Sequence, residues 1–502
     1  MTAADLLAAE LALPCGAVLP NRIAKAAMSE QLAARDGRPT ERLRRLYAAW
    51  AHGGAGLLIT GNVMIDRTAL TEPGNVILDH DRALPAFRRW AAAAKDAGST
   101  LWMQINHPGR VATVPFTHRP VAPSATREPV PGYNLRRPRA LTGQEVRHVV
   151  RAFARTAELA VAAGFDGIQI HAAHGYLLSQ FLSPAANTRD DAYGRTAAGR
   201  RRALLETVAA VRAAVGPAVP VSVKLNSRDF QRGGLTEAEA HDTARALADA
   251  GIDLLEISGG NYTAPAMTGV GVHRPRTAAG PEAYFLDFAE RIRHDVQVPL
   301  MLTGGLRTGA TMERILRDGT ADVIGLARPM AFSPQYPAHL LAGTRPARRA
   351  ARHRLPPPRR VHPTRPPQPP VPPHRTRPST TGHPRPPHHD ARGRHHCPGR
   401  PPPTRHPRAV TRPALPPPAA DVDRIPAAMS SKRNPARQAR PTRPPAEADP
   451  HPHKLRGRSN DRPRRFRAVL RSMTRNTLNE RAEGVAGWVM RRIADRGRSA
   501  SA

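Results

Sequence analysis

The sequence has very few cysteines: Cys15 and Cys397 are the only two among 502 residues. This count excludes a disulfide framework, a four-cysteine metal site and an iron–sulfur cluster held by four cysteines. No uninterrupted apolar run approaches the roughly 20 residues that a membrane-spanning helix needs. The N-terminus also lacks the basic and then apolar pattern of a secretory signal. The sequence therefore predicts a cytoplasmic protein without a membrane partner.

Aromatic residues are scarce after residue 343, where the composition changes abruptly. Residues 344–502 contain 37 Lys and Arg against 9 Asp and Glu, a net charge of +28, together with 32 of the 54 prolines. This segment has one Phe (Phe466), one Trp (Trp488) and no Tyr. Such a composition cannot bury enough apolar surface to offset the entropy of ordering the chain. We therefore predict a folded domain over residues 1–343 and a low-complexity basic tail over residues 344–502.

Two interpretations of the tail remain open. It is either a disordered, solvated extension or a stretch translated in a shifted reading frame of a GC-rich gene. A tail this basic would bind the phosphates of nucleic acid without sequence preference. It has almost no aromatic residues for base stacking and no zinc-ligand spacing, so we expect such binding only as a nonspecific property. An inactive or non-redox folded domain with a polyanion-binding tail is the alternative function.

Residues 1–343 alternate short apolar runs with helical patterns. The runs predict strands over residues 23–28, 56–63, 100–106, 167–171, 221–225, 254–258, 300–303 and 323–326. Apolar residues at spacings of three and four predict helices over residues 40–52, 84–97, 142–163, 200–215, 236–250, 283–294, 308–317 and 334–341. Eight strand–helix pairs in about 320 residues favour an α/β fold of the (β/α)₈ (TIM) barrel type over a doubly wound sheet.

Several helix ends carry specific signals. Thr142 and Thr236 each precede a glutamate by three residues, which is the pattern of a capping box. Gly164, Gly216 and Gly251 follow predicted helices at the position where a left-handed residue commonly ends a helix.

The segment His-Ala-Ala-His-Gly-Tyr, residues 171–176, follows the fourth predicted strand. In a (β/α)₈ barrel the site lies at the C-terminal ends of the strands, where this segment falls. Two imidazoles can donate hydrogen bonds to one anionic oxygen, and the phenol can deliver a proton to a nearby carbon. Two alternatives remain open: a His-x-x-His metal pair, which lacks a local carboxylate as third ligand, and a purely structural role.

Five segments in barrel order resemble one family. The segment 171–184 is followed by Asn187 and by Asp-Asp-Ala-Tyr-Gly-Arg, and together these resemble the signature of the old yellow enzyme family. The other matching segments are residues 21–29, 102–110, 303–305 and 325–328. Members are FMN-dependent NAD(P)H:flavin oxidoreductases and ene-reductases built on a (β/α)₈ barrel. The resemblance covers roughly residues 10–343.

The resemblance implies which residues bind the flavin ring. Ser29 stands where the family has a Thr or Cys that hydrogen-bonds flavin O4, and Ala27 and Met28 would supply backbone contacts. Gly61 is small where the flavin edge approaches the second strand. Two longer side chains would bind the pyrimidine edge: Gln104, through its amide, and Lys224, which stands where the family often has Arg.

The resemblance also implies a phosphate site and a reaction. Backbone N–H groups of Gly304 and Gly305 would approach the FMN phosphate beside Ala327, with Arg328 paired to it. The catalytic residues would be His171 and His174, which hold the substrate carbonyl, and Tyr176, which protonates Cα. The implied mechanism is ping-pong, with NAD(P)H as reductant and a small enone-type molecule as substrate. The region after the eighth strand would complete the last helix and take part in a homo-oligomer.

Overall fold

The computed structural model describes residues 3–114, 116–127, 130, 135–269 and 282–344. The predictions for the tail therefore lie outside the described residues, except for Thr344, and so do parts of the two long loops after the third and sixth strands. Within the described residues, no helix is long and apolar enough to cross a membrane.

Eight parallel strands form a closed barrel, as predicted. Each strand pairs with its neighbours in chain order, β8 pairs with β1, and β2 pairs with both β1 and β3. The strands are β1 (Ile23–Lys25), β2 (Leu57–Ile59), β3 (Thr100–Asn106), β4 (Gly167–Ala172), β5 (Val221–Asn226), β6 (Leu254–Ser258), β7 (Leu300–Thr303) and β8 (Val323–Leu326).

One helix follows each strand and packs outside the barrel. The helices are α1 (Glu41–Ala51), α2 (Leu84–Lys95), α3 (Gly143–Ala162), α4 (Ala197–Val215), α5 (Glu237–Asp249), α6 (Leu286–Ile292), α7 (Gly309–Arg317) and α8 (Tyr336–Leu341). Three further short helices are Ala3–Ala8, Leu177–Leu182 and Arg328–Phe332. Both predicted capping boxes are present, at α3 and α5, and the three predicted glycines have φ between +75° and +91°.

The apolar residues separate into two main layers. The larger cluster fills the space between strands and helices and contains the wholly buried Trp50, Trp90 and Phe153. A smaller cluster joins Trp102 of β3 and Met301 of β7 to leucines of an N-terminal hairpin, Leu11–Ala12 with Val18–Leu19. The hairpin thus closes the N-terminal end of the barrel, which leaves the opposite end for a ligand.

An aspartate at each of three helix-to-strand turns ties neighbouring strands together. Asp166, Asp253 and Asp322 each accept a hydrogen bond from a backbone N–H in the first or second residue of the preceding strand, at 2.9, 2.8 and 2.8 Å respectively. The backbone N–H of each aspartate in turn donates to the strand residue that it caps, at 2.8 Å. This repeated contact satisfies strand ends that would otherwise be buried without partners.

The first two strands are shorter than predicted. Pairing of β1 ends with the Ala26 N–H, which donates to Leu326 O at 2.8 Å, and the chain then leaves the sheet in a loop that carries Met28 and Ser29. β2 ends at Ile59, and a separate strand, Val63–Met64, pairs with the last residues of β3. The predicted run over residues 23–28 stays apolar past the last paired residue of β1. The run over residues 56–63 instead passes over the polar and turn-forming residues Thr60, Gly61 and Asn62, which mark the end of β2.

Candidate active site

Three ring side chains meet at the C-terminal end of β4. His171 is in the strand, and the ring centroids of His174 and Tyr176 lie 5.1 and 4.8 Å from that of His171. The chain turns sharply here, because His174 has φ +61° and Gly175 has φ +77°. A left-handed conformation is uncommon for a residue with a side chain, so neighbouring residues must hold His174 in place.

Residues from β5 and β6 hold His174. Its backbone N–H donates to Asn226 Oδ1 at 3.1 Å, and its Nε2 lies 2.7 Å from Ser258 Oγ. Asn226 is itself fixed, because its amide donates to Asp229 Oδ1 at 3.0 Å and to Gly260 O at 2.9 Å. The second histidine is therefore positioned by the two strands that follow its own.

Both imidazoles are held neutral. Burial lowers the pKa of His171 well below its usual value of 6.5, and the repulsion that a protonated His174 and the Lys224 ammonium would exert adds to this effect. Burial and the charge of Lys224 lower the pKa of His174 in the same way. His171 Nδ1 accepts the Ala173 N–H at 3.3 Å, so the ring proton lies on Nε2. His171 therefore offers one N–H donor.

The phenol of Tyr176 lies against residues from two other loops. Its oxygen is 3.1 Å from the hydroxyl of Tyr262, in the loop after β6, and 3.5 Å from Asn62 Nδ2, which follows β2. The sequence analysis named neither Tyr262 nor Asn62 as a site residue. Tyr262 lies four residues after the sixth predicted strand, and Asn62 is the last residue but one of the second, so a search of the predicted strand ends could have found both.

A chain of buried polar side chains crosses the barrel beneath these rings. Gln104 Nε2 donates to Gln169 Oε1 at 2.7 Å, and Gln169 Nε2 donates to Glu256 Oε2 at 2.9 Å. Lys224 Nζ completes the chain with Glu256 Oε1 at 2.7 Å. The structure thus brings Gln104 and Lys224 to one level of the barrel and pairs the lysine charge with Glu256. Neither Gln169 nor Glu256 was predicted, because each lies inside an apolar run.

The loops after β1 and β2 pack against each other. Ser29 Oγ donates to the carboxylate of Glu72, and the N–H of Gly61 donates to Glu30 Oε1 at 3.1 Å. A Cβ at Gly61 would lie 2.4 Å from Met28 O and 2.2 Å from Glu30 Oε2. Contact with this protein loop is therefore sufficient to require glycine at position 61.

Two glycines and an arginine lie at the ends of β7 and β8. Gly304 and Gly305 have φ of +107° and +80°, and a Cβ on Gly305 would lie 2.4 Å from the ring of Tyr284. Their N–H groups donate to no backbone or side-chain oxygen among the described residues. Arg328 is exposed and donates to the hydroxyl of Tyr284 at 3.0 Å. Ala327, beside it, packs against the smaller cluster that contains Trp102 and Met301, and so does Ala27 after β1.

The metal alternative gains no support from the site. Among the residues that the structure describes, no group of three or more His, Cys, Asp or Glu side chains could hold a metal ion. The ring of His174 is instead hydrogen-bonded to the hydroxyl of Ser258, at 2.7 Å.

Comparison with known proteins identifies the family. The description "NADH:flavin oxidoreductase / NADH oxidase family" matches residues 16–345. The chain is 40% identical over 357 residues to the NADH-dependent flavin oxidoreductase iccE of Talaromyces variabilis, covering 66% of this chain and 86% of the relative.

Two solved structures share the fold. The old yellow enzyme homologue from Zymomonas mobilis has a TM-score of 0.59 and 27% identity, covering 67% of this chain and 92% of that chain. Morphinone reductase in complex with tetrahydroNAD has a TM-score of 0.57 and 26% identity, covering 68% and 91%. The chain therefore belongs to the NADH:flavin oxidoreductase family of old yellow enzyme type, with FMN as cofactor and NAD(P)H as reductant.

Proposed function

We propose that the protein is an ene-reductase, which uses NAD(P)H to reduce the carbon–carbon double bond of an α,β-unsaturated carbonyl in a ping-pong reaction. The observation that carries this proposal is the meeting of His171, His174 and Tyr176 at one strand end. The name of morphinone reductase, a structural neighbour, supports a small carbonyl-containing substrate.

The residues at the C-terminal end of the barrel fit FMN. The N–H groups of Gly304 and Gly305 have no acceptor among the described residues, and Arg328 adds a positive charge beside them, which suits a phosphate. We assign the flavin ring to residues of the loop after β1 and of strands β3 and β5, with Ser29 at flavin O4 and with Gln104 and Lys224 at the pyrimidine edge. FMN supplies the hydride chemistry when bound, and the protein supplies orientation and polarisation.

The two histidines polarise the substrate in this proposal. A neutral imidazole donates one hydrogen bond, and His171 has its donor on Nε2. Two donors that converge on a carbonyl oxygen stabilise the negative charge that develops there and make Cβ a better hydride acceptor. A neutral imidazole is a far weaker acid than a phenol, so in this proposal the histidines only donate hydrogen bonds and the proton for Cα comes from another residue.

Tyr176 provides that proton. Its phenol belongs to the same group of rings, and Tyr262 and Asn62 fix the position of its oxygen. A phenol in hydrogen-bond reach of a carbon that gains negative charge acts as a general acid. In this proposal the loops after β2, β4 and β6 together position one proton donor for the substrate.

The test separates the two half-reactions. In rapid-mixing experiments, Tyr176→Phe should slow the reoxidation of flavin by cyclohexenone about 100-fold or more, the usual contribution of a general acid, and leave reduction by NAD(P)H nearly unchanged. His174→Ala should weaken enone binding. Equal slowing of both half-reactions by Tyr176→Phe, or no enone turnover by the FMN-loaded protein, would contradict the proposal.

A further inference from the structure

Glu72 is a carboxylate that the reaction proposed above does not use, although it contacts Ser29, the residue assigned above to flavin O4. It lies on the turn that follows the strand Val63–Met64. Ser29 Oγ donates to Glu72 Oε1, and Gln31 Nε2 donates to Glu72 Oε2 at 2.5 Å. The Glu72 N–H in turn donates to Asn75 Oδ1 at 3.1 Å. Both carboxylate oxygens thus contact the loop that leaves β1.

The surroundings of Glu72 do not neutralise its charge. Among the residues that the structure describes, no Lys, Arg or His lies within ion-pair distance of it. The charged residue that faces Glu72 is Glu30, on the loop that leaves β1. The Glu30 carboxylate accepts hydrogen bonds from the Tyr47 hydroxyl and the Gly61 N–H and forms an ion pair with Lys25. Burial raises the pKa of Glu72, and the negative charge of Glu30 adds to this, while the hydrogen bonds from Ser29 and Gln31 oppose it.

The Ser29 hydroxyl has one proton, and this limits what it can do. While Glu72 is ionised it can only accept, so the serine proton points to the carboxylate. A protonated Glu72 can instead donate to Ser29 Oγ, which frees the serine proton to turn toward the flavin. The protonation state of Glu72 therefore decides whether Ser29 is a donor to flavin O4.

We propose that Glu72 is a positioning residue that acts through Ser29, and that reduction of the bound flavin is coupled to uptake of one proton by Glu72. The inference rests on the assignment of Ser29 to flavin O4 made above. Reduction adds negative charge to the ring, which favours both a hydrogen bond from Ser29 and a neutral Glu72. The two electrons come from NAD(P)H as a hydride, and the additional proton passes from solvent to the carboxylate without forming any bond to the cofactor.

The experiment is a redox titration of the full-length, FMN-loaded protein, followed by flavin absorbance at a series of pH values. The slope of the midpoint potential against pH counts protons taken up per two electrons, at about 30 mV per pH unit for each proton. Between the pKa values of Glu72 in the oxidised and reduced protein, the wild-type slope should exceed that of Glu72→Gln by one proton. Glu158→Gln, on the outer surface of α3 in an exposed pair with Arg155, is the matched control and should keep the wild-type slope.

A second variant tests the route through Ser29. In Ser29→Ala the slope should already be reduced, and adding Glu72→Gln should change it little further. If Glu72→Gln does not bind FMN, the difference in slope between wild type and Ser29→Ala still tests the coupling. An undiminished effect of Glu72→Gln in the Ser29→Ala background would overturn the proposed route, and equal slopes in wild type, Glu72→Gln and Ser29→Ala would overturn the coupling.

The outcome is independent of the ene-reductase assignment. Equal slopes in a protein that still reduces cyclohexenone with NAD(P)H would overturn only the role of Glu72. A one-proton difference in a protein that binds FMN and does not reduce enones would contradict only the proposed substrate class.

Discussion

At the C-terminal end of the barrel, one of the predicted site residues has a strained backbone conformation. His174 occupies a left-handed conformation that costs about 1–3 kcal/mol. The hydrogen bond from its backbone N–H to Asn226 Oδ1 and the hydrogen bond between its ring and the Ser258 hydroxyl offset that cost. If His174 polarises the substrate as proposed, it is already held in position before substrate binds.

The neutral state of His171 predicts an acid limit on stability. The folded pKa lies well below 6.5, so as pH falls below 6.5 the unfolded chain takes up a proton that the folded chain refuses. The free energy of unfolding should therefore decrease as pH falls through this range. His171→Asn should reduce the slope of unfolding free energy against pH by up to one proton, measured by urea denaturation. The same change at His148, exposed on α3, is the control, and an equal effect there would contradict the prediction.

Gly305 gives a second prediction at this scale. Gly305 and Gly98 have nearly the same φ, +80° and +82°, but a Cβ would meet the ring of Tyr284 at 2.4 Å in one case and open space in the other. Gly305→Ala should therefore weaken FMN binding by at least tenfold, measured by flavin fluorescence. Gly98→Ala has the same backbone cost and should bind FMN as wild type does. Equal affinities in the two variants would show that Gly305 is not part of the cofactor site.

The sequence could predict the site residues whose types are unusual at strand ends. His171, His174 and Tyr176 stand out after an apolar run, and the structure brings them together. It could not predict Glu256 or Glu72, because the significance of each depends on a contact with a residue distant in sequence. Such contacts form only when strands and loops that are distant in sequence come together in the folded barrel.

The predicted bounds of a secondary-structure element are accurate where specific residues mark its ends. Capping boxes and left-handed glycines fixed the ends of α3 and α5, so their predicted and observed bounds differ by at most a residue. Apolar runs without such signals did not locate the ends of β1 and β2. Helix α6 begins at Leu286, after the predicted residue 283, because Ala283 has φ +53° and interrupts the helical conformation.

The aspartates of the helix-to-strand turns predict a stability effect. Asp253 is buried, accepts from Val221 N–H at 2.8 Å and pairs with Arg212 at 2.5 Å. Asp253→Ala would leave both donors without this partner, which should lower the free energy of unfolding by about 1–3 kcal/mol. Asp249→Ala, at the exposed end of α5, is the control and should change it by less than about 0.5 kcal/mol. A loss at Asp253 no greater than at Asp249 would contradict the role of this turn.

At the scale of the whole chain, the region matched to the family ends at residue 345. The barrel and its site lie within residues 3–344. A chain truncated after residue 345 should therefore bind FMN and oxidise NAD(P)H as the full chain does, assayed by flavin absorbance and NAD(P)H consumption. Binding to heparin should fall sharply, because the net charge of +28 lies in the part removed. Loss of flavin together with persistence of polyanion binding in the full chain would favour the alternative function.

The pairing of β2 with both β1 and β3 has a consequence for self-association. A sheet that returns to its own first strand offers no row of free backbone groups to which another polypeptide can add a strand. If copies of this protein assemble, the described barrel must then contribute helix surfaces or loops to the contact. Changes in those surfaces can alter assembly while the strands that carry the flavin site stay as they are.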